Sequence, residues 1–497
     1  MRLLLALLLA APALSLPVAV PASRPAYADR TFHSPSVDSF IDSLSKQFLD
    51  PDMATLFANT FPNTLDTTVA DPDSGFIITG DIDAMWLRDS CNQVQPYLPF
   101  LAEDPALDTL LVNLVDRMAR SVLIDPFANA FNPDDSKPGD HADDVVTPEM
   151  TNGVFESKYE LDSLAAFLKL SRGVYENSPT LFKGAGDYGN WAKAVGVAVD
   201  TIKNQQQSTA EEMANGGQEY TFSRTTDTAS DTLMQSGNGV PAARTGMSKC
   251  AFRGSDDATT FPFHVPANAM AVVELRNVAS MIEDLGNKDD LPLASDMAEL
   301  ADEIDAGIEK FGKITHSITK EVVYAYEVDG FGNAIFMDDA NIPSLLSLPY
   351  LGYLDASDDV YQATRRAVLA RDSNPFYFSG SAGAGVGGPH QGYGMVWPMA
   401  IAVQALTSTD RSEVQACLDS LVTATAGYGF MHESFNMDDA ATFTRPWFAW
   451  ANSLFAEVVI KISEDYPDMI FSDPPIELEA GAVKTIYINR HGEKKWR

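Results

Sequence analysis

The chain has 497 residues, and 69 Asp and Glu against 34 Lys and Arg give it a formal net charge of −35 at pH 7. This excess of acidic groups repels phosphate backbones and argues against nucleic acid as a partner. The length suits one large domain or two ordinary ones. Three widely spaced cysteines, Cys91, Cys250 and Cys417, form neither a disulfide framework nor a zinc pattern, although one bridge and a free thiol are allowed.

The N-terminus predicts a signal peptide. Arg2 supplies a positive start, residues 3–14 form an apolar run, and small residues up to Ser23 suit cleavage. The run is shorter than the about 20 apolar residues that span a membrane. We therefore expect residues 1–23 to be removed from a protein without stable membrane association, secreted or kept in the secretory pathway. An uncleaved anchor is the alternative.

The body of the chain predicts mostly helices. Apolar residues recur every three or four positions at 36–49, 105–118 and 157–171. Pro266 suits the first turn of a helix that Gly286 ends. Further helices are predicted at 187–205, 293–310, 341–352, 359–371, 396–407, 412–425 and 449–463.

These helices alternate with long loops, and few strands are evident. Loops rich in Gly, Ser, Asp and aromatic residues are usually functional or disordered. We predict an all-α catalytic domain over 30–465, in which a ring of helix pairs carries its site on loops at one end. A solenoid of helix pairs is the alternative. Segment 207–249 is the poorest in apolar residues and is expected to be a flexible surface insertion, and 466–497 a C-terminal appendage.

One loop, residues 80–90, combines carboxylates with an indole and a guanidinium. Arg88 beside Asp89 can hold vicinal hydroxyls, and Trp86 offers an apolar platform for a sugar ring. Asp81 lies in the same loop. A structural ion pair under a tryptophan is the alternative.

Two further loops carry candidate acids and bases. Adjacent carboxylates such as Asp256 and Asp257 can have raised, coupled pKa values when buried together, as a general acid near neutral pH requires. A solvated turn is the alternative, because the helix at Pro266 begins too late for a cap. Glu433, between His432 and a serine, can activate water.

Helix 157–171 places Glu160 on one face with two other polar residues, which also fits an ordinary amphipathic helix. The glycine-rich stretch before His390 lacks the Gly-Lys-Ser/Thr of a phosphate loop. No His-Glu-x-x-His or Gly-x-Ser-x-Gly motif occurs, and 134–144 lacks the calcium-loop pattern. We expect neither a metal nor a cofactor.

Taken together, these segments resemble glycoside hydrolase family 125, the exo-α-1,6-mannosidases. The matching strings follow the family order between about residues 35 and 465. They are 79–82, 85–90, 158–160, 162–163, 255–257, 265–268, 374–375, 389–390, 431–435 and 452–455.

The resemblance implies an (α/α)6 barrel and metal-independent cleavage of terminal α-1,6-linked mannose with inversion. It implies that an Asp of 255–257 is the general acid, with Asp256 preferred over a substrate-binding Asp257, and that Glu433 is the general base. Inversion sets the two carboxyls roughly 6.5–9.5 Å apart. The other residues expected to bind substrate are Asp81, Trp86, Arg88, Asp89, Glu160, His390, His432 and Arg445.

The chain departs from the family pattern at Asp83 and Gly254, where we expect proline, and in the length of 207–249. These departures leave the aglycone side of the site open. The expected partners of this monomer are mannose-containing oligosaccharides or N-/O-glycans. Another (α/α)6-barrel α-glycosidase, such as a glucoamylase-like enzyme, and a catalytically inactive glycan-binding protein are the alternatives.

Overall fold

The computed structural model describes residues 23–139, 141, 143–182 and 187–472. The predicted signal peptide, apart from Ser23, and the predicted appendage beyond Ser472 lie outside these residues. The α-helices are α1 (Pro35–Leu44), α2 (Pro51–Thr60), α3 (Asn63–Thr67), α4 (Leu87–Gln93), α5 (Pro105–Ile124), α6 (Leu161–Asn177), α7 (Tyr188–Asn204), α8 (Thr209–Ala214), α9 (Met234–Gly237, kinked), α10 (Val265–Leu285), α11 (Leu291–Phe311), α12 (Asp359–Val368), α13 (Pro398–Leu406), α14 (Arg411–Ala424) and α15 (Ala449–Asp465).

Short strands pair antiparallel in sheets of two or three within the connecting loops. They are β1 (Val69–Asp71), β2 (Phe76–Ile77), β3 (Met85–Trp86), β4 (Ala130–Phe131), β5 (Val145–Thr147), β6 (Val154–Glu156), β7 (Thr221–Ser223), β8 (Phe263–His264), β9 (Lys313–Thr315), β10 (Val322–Tyr324), β11 (Glu327–Val328), β12 (Ala334–Ile335), β13 (Tyr377–Ser379), β14 (Ala384–Val386), β15 (Met395–Val396), β16 (Phe435–Asn436) and β17 (Asp439–Phe443).

The helices form an (α/α)6 barrel, as predicted. Helices α4, α6, α10, α13 and α15 are inner: α4 packs on α6, α6 on α10, and α13 on α15. Helix α15 returns to contact α4. This contact closes the ring, which rules out an open solenoid. Outer helices pair with their neighbours, as α11 does with α10 and α14 with α13.

Burial distinguishes the two layers. Every residue of α4 is buried, whereas α7 and α11 bury one face and expose the other. The outer helices α5 and α7 also begin with a capping side chain, although α11 does not: Asp104 accepts from the backbone N–H of Leu107, and Asp187 from that of Asn190. Inner helices have no such side-chain cap, and the first N–H groups of α4 and α10 bond instead to the carbonyls of Asn129 and Tyr326.

The seam between the first and last helices is polar and buried. Asn452 Nδ2 donates to Asn63 Oδ1 at 2.9 Å, and Asn452 Oδ1 accepts from the backbone N–H of Met431 at 2.8 Å. Ser453 donates to the carbonyl of Gln93 at 2.8 Å. These bonds join α15 to both α3 and α4, so the ring closes through specific polar contacts as well as apolar packing.

Residues 466–472, which the sequence placed in the appendage, pack against the start of the barrel. The ring of Phe471 lies 5.3 Å from that of Phe48, and Leu49 donates its N–H to the carbonyl of Ile470. One continuous apolar core fills the barrel. All three cysteines are buried and unbridged. Across the described ranges, no helix combines the length and apolarity needed to cross a bilayer.

The predicted helix at 341–352 is wrong, because this stretch is a buried run of turns. Ser344 and Ser347 each donate a backbone N–H to the hydroxyl of the other, at 2.8 and 3.1 Å. Such local side-chain bonds compete with helical ones. Pro349 removes a further helical donor.

The expectation of a flexible insertion at 207–249 is also wrong. Strand β7 pairs with β5, and Phe222 is fully buried against Phe252, with ring centroids 4.9 Å apart. Arg224 pairs with Asp144 at 2.7 Å. A few buried anchors thus fix a segment of low mean apolarity.

Candidate active site

A cavity opens at the end of the barrel to which the N-termini of the inner helices point. The space that its walls enclose is about 410 Å³, including the part open to solvent. The residues immediately before α4, α13 and α15, namely Trp86, Trp397 and Phe448, form part of its wall. The other lining residues are Thr79, Ile82, Arg88, Asp89, Gly254, Ser255, Asp256, Asn341, His390, Glu433, Arg445 and Trp450.

Arg88, in the first turn of α4, collects the carboxylates on one side of the cavity. Its guanidinium lies 2.5 Å from Glu160, 3.1 Å from Asp256 and 3.3 Å from Asp89. Burial raises the pKa of Asp89 to about 6, against the opposing charge of Arg88. Because Arg88 is almost fully buried, removing it would leave several desolvated carboxylates without their counter-charge.

Asp256 projects into the cavity from a tight turn. The N–H of Arg253 bonds to the carbonyl of Asp257 at 2.8 Å, and Asp256 has φ 66°, a left-handed conformation that Asp tolerates better than most residues. A Cβ on Gly254 would lie 3.1 Å from the carbonyl oxygen of Ile342, so glycine fits this close approach. Arg253 anchors the turn to β11 through Glu327, at 2.6 Å.

Asp256 and Glu160 form a carboxyl pair around one amide. Asn129 Nδ2 lies 3.2 Å from Glu160 Oε1 and 3.4 Å from Asp256 Oδ1. Burial raises the pKa of Glu160 well above its usual range. Burial alone would also raise the pKa of Asp256, but Arg88 and a hydrogen bond from Glu160 hold it well below its usual range. Within this pair, burial favours the protonated form of Glu160, and Arg88 favours the ionised form of Asp256.

Asp257 points away from the cavity toward His390. It accepts from the hydroxyl of Ser255 at 3.2 Å, and its Oδ1 lies 3.8 Å from His390 Nδ1. Burial alone would lower the pKa of His390, but Asp257, Asp256 and Glu433 outweigh it and raise this pKa to about 9. The cavity thus contains an imidazolium at neutral pH, within the field of both proposed catalytic carboxyls.

Glu433 also lines the cavity, in the loop before β16. Its Oε2 accepts from Gln391 Nε2 at 2.9 Å and from the hydroxyl of Thr444 at 2.7 Å. Arg445 Nη1 is 3.5 Å from Oε1. His432 is fully buried behind it, with one ring nitrogen 3.0 Å from the carbonyl of Arg445. Two neutral donors therefore fix Oε2, while Arg445 approaches Oε1.

Polar atoms without a protein partner cluster around the cavity. Buried polar groups normally find a hydrogen-bond partner, so a concentration of unpaired ones indicates a polar ligand. In the described part of the chain, lining atoms with no hydrogen-bond partner include the hydroxyl of Thr79 and the indole N–H groups of Trp86, Trp397 and Trp450. Indole faces with unpaired donors suit a sugar, which is apolar on its faces and polar at its edges.

Most of the residues predicted from the sequence meet at this cavity. Trp86, Arg88, Asp89, Asp256, His390, Glu433 and Arg445 line it. Asp81 is at the rim, 3.5 Å from Arg445. Glu160, Asp257 and His432 are buried outside the lining and contact residues that form it, so direct sugar binding by these three stays a prediction.

Sequence reasoning missed Asn129, Gln391 and Thr444. Each lies in a loop without a motif, and neutral amides and hydroxyls carry no charge pattern that marks them. The aromatic residues that precede inner helices were the available signal, because Trp397-Pro398 and Phe448-Ala449 each open an apolar helix without a capping side chain.

The fold and the cavity together define a class of protein, a glycoside hydrolase of the (α/α)6-barrel type with carboxyl groups from separate loops lining one cavity. Within the ranges that the structure describes, no group of three His, Cys, Asp or Glu could hold a metal ion.

Comparison with known proteins gives the family. The family described as metal-independent α-mannosidase (GH125) matches residues 50–460, and the chain belongs to it. The chain is 43% identical, over 470 residues and 91% of each protein, to the meiotically up-regulated gene 157 protein of Schizosaccharomyces pombe. The predictions of the family and of an enzyme that hydrolyses glycosides are therefore confirmed.

Solved structures agree with this family. A Streptococcus pneumoniae protein, described among metal-independent α-mannosidases in a non-productive complex with α-1,6-mannobiose, is 37% identical with a TM-score of 0.80, covering 87% of this chain and 99% of that one. A bacterial glucoamylase bound to acarbose is 12% identical with a TM-score of 0.52, covering 85% of this chain and 57% of that one. The second likeness is one of fold alone.

Proposed function

We propose that the protein is an exo-acting α-1,6-mannosidase that inverts the anomeric centre. The observation that carries the proposal is that Asp256 and Glu433 line one cavity from separate loops, each held by its own set of partners. The α-1,6-mannobiose bound to the Streptococcus pneumoniae relative supports the choice of substrate.

The proposed reaction uses one carboxyl on each side of the sugar. The C1–O bond breaks, its electron pair passes to the glycosidic oxygen, and that oxygen takes a proton from Asp256. Water attacks C1 from the opposite face and gives a proton to Glu433. Glu160 supplies the proton that it shares with Asp256, and Arg88 stabilises the resulting carboxylates.

Asp256 suits the acid better than Asp257 does. Its side chain is 24% exposed and faces the cavity, whereas that of Asp257 is 5% exposed and turned toward His390. Asp257 then raises the pKa of His390, so that the imidazole keeps a positive charge near both catalytic carboxyls. Asp89, Arg88 and the unpaired indole N–H groups hold the sugar hydroxyls.

The shape of the cavity supports release of single terminal sugars. Residues at the starts of inner helices line it, and the barrel below is filled by the apolar core. A glycan enters by its end and cannot thread through, so the terminal mannose occupies the deep position.

Hydrolysis of α-1,6-mannobiose followed by proton NMR tests this function. We expect β-mannose as the first anomer released, because water attacks opposite the leaving group. Isomaltose, the matching glucose disaccharide, serves as the control and should be cleaved far more slowly. α-Mannose as the first product would reject inversion, and preference for isomaltose would point to a glucoamylase-like enzyme.

We further propose that the protein acts as a monomer in the secretory pathway or outside the cell. The positive start and apolar run of residues 1–23, which lie outside the described residues apart from Ser23, support this location. N-terminal sequencing of the protein recovered from culture medium should give a first residue near position 24.

A further inference from the structure

Segment 207–249 places an ion cluster beside the proposed general acid. Arg224 binds Asp144 with two hydrogen bonds, of 2.8 and 2.7 Å, and its Nη2 donates to Glu156 Oε1 at 2.9 Å. Its Nη1 donates to Asp231, which also accepts from Lys158 at 2.7 Å. The Asp144 side chain is 0% exposed and that of Arg224 9%, so these charges are held away from water, where their mutual attraction is weakly screened.

The cluster reaches Asp256 through one amide. Glu156 Oε2 accepts from Asn129 Nδ2 at 3.2 Å, and the same Nδ2 faces Glu160 and Asp256. Asn129 Oδ1 accepts the backbone N–H of Lys158 at 3.1 Å. This bond fixes which end of the amide is the donor, so Asn129 must present its NH₂ group to the three carboxyls.

The same segment supports the backbone around the acid. Ala258 donates its N–H to the carbonyl of Ser230 at 2.7 Å, two residues after Asp256. On the other side of the turn, Phe222 packs on Phe252. Segment 207–249 therefore holds both ends of the turn that carries Asp256.

We propose that Arg224 is a positioning residue of the general acid, acting through Glu156 and Asn129. The inference rests on the function proposed above and deepens it. Without Arg224, Asp144 and Glu156 lose their shared counter-charge in a desolvated site, and Glu156 turns toward Lys158. Asn129 then loses one of the carboxylates that orient its donor toward Asp256, and proton delivery to the leaving group becomes slower.

The test compares two substrates that differ in their need for an acid. In α-1,6-mannobiose the leaving group is the second mannose, whose glycosidic oxygen must be protonated before it departs. In α-mannosyl fluoride the leaving group is fluoride, which departs as an anion without a proton. We expect Arg224→Met to lower kcat on mannobiose by about tenfold or more, part of the ~10²–10⁴ that general-acid catalysis contributes, with little change in KM. On the fluoride its kcat should stay within about twofold of wild type, since no acid step is lost.

Three further variants complete the design. Asp256→Asn gives the largest expected difference between the loss of kcat on mannobiose and the loss on mannosyl fluoride. Asp144→Asn removes one charge of the cluster with little change in volume, and it should show the same difference with a smaller magnitude. Arg244→Met is the matched control, because Arg244 pairs with Glu211 on the exposed face of the same segment.

The outcomes separate this inference from the proposed function. The positioning role would be overturned if Arg224→Met and Asp144→Asn lost kcat equally on both substrates, or if they raised KM for mannobiose with kcat unchanged. The proposed function would still stand if Asp256→Asn lost activity selectively on mannobiose. If wild type fails to cleave mannobiose, or Asp256→Asn loses activity equally on both substrates, the proposed function itself fails.

Discussion

Glu433 shows how single residues set the chemistry. Its carboxylate accepts from Gln391 and Thr444 on the same oxygen, and neither donor brings a charge that would neutralise it. Arg445 stands farther away, at 3.5 Å from the other oxygen. The proposed base is thus oriented mainly through one oxygen by two neutral donors.

Glu433→Gln should abolish turnover because the amide cannot accept the proton from water. We expect kcat on α-1,6-mannobiose to fall by about 10²–10⁴, the usual contribution of a positioned base. Mannose binding, measured by titration calorimetry, should change little, since glutamine keeps the shape of the side chain. Glu211→Gln, at an exposed site, is the control. Retained turnover would reject Glu433 as the base.

His390 predicts a pH dependence of stability. Its pKa is about 9 in the folded protein and roughly 6.5 when unfolded, so the folded state binds the proton more tightly. The stabilisation is complete below pH 6.5 and is lost as the pH rises toward 9. Between these values, the Tm of wild type should fall more than that of His390→Gln. Parallel Tm profiles of the two proteins would contradict this assignment.

The charged residues of the cavity were largely predictable from the sequence, whereas Trp86 was the one lining aromatic residue predicted to bind substrate. Arg88, Asp256 and Glu433 stand in short strings that are each weak signals and become specific only as an ordered set. Asn129 and Gln391 were not predictable, because their roles depend on carboxylates that are distant in sequence and become neighbours only in the fold. Arg224 likewise acquires its place from a strand pairing, β5 with β7, that neither segment signals on its own.

At the scale of elements, most helices were predictable. Apolar recurrence is a local signal, so the outer helices α5, α7 and α11 and the inner helices α6, α10, α13 and α15 appear near their predicted positions. Helix α4 is buried along its whole length and shows no apolar stripe. For this reason α4 went unrecognised, and the turns at 341–352, equally apolar, were taken for a helix.

Asn452 in α15 bonds both to α3 and to the loop that carries Glu433, so its removal should affect stability and activity together. Asn452→Ala leaves Met431 N–H and Asn63 Oδ1 buried without partners, and each such group costs about 1–3 kcal/mol. We expect the free energy of unfolding in urea to fall by at least about 2 kcal/mol, and kcat to fall with it, because Met431 is two residues from Glu433. Asn204→Ala, at the exposed end of α7, is the control. A loss below about 0.5 kcal/mol, typical of surface sites, would contradict the role of the seam.

At the scale of the whole molecule, the net charge of −35 is a source of self-repulsion. Raising ionic strength shortens the screening length from about 30 Å at 10 mM to about 8 Å at 150 mM. We expect the Tm at pH 7 to rise by a few degrees over this range, since surface repulsion is screened more than the buried ion pairs are. The rise should shrink near pH 4.5, where many carboxylates are protonated. A fall in Tm with salt would show that surface attractions dominate.

The closing bonds between α3 and α15 also bear on how the chain becomes active. Asn63 and Asn452 are separated by almost the whole sequence of the barrel, yet their side chains are hydrogen-bonded. Asn452 also accepts a hydrogen bond from the backbone of Met431, in the loop that carries Glu433. During synthesis, the part of the chain that contains Asp256 is therefore made long before α15 can fix the loop that contains Glu433. We expect catalytic competence only once α15 docks against α3 and α4.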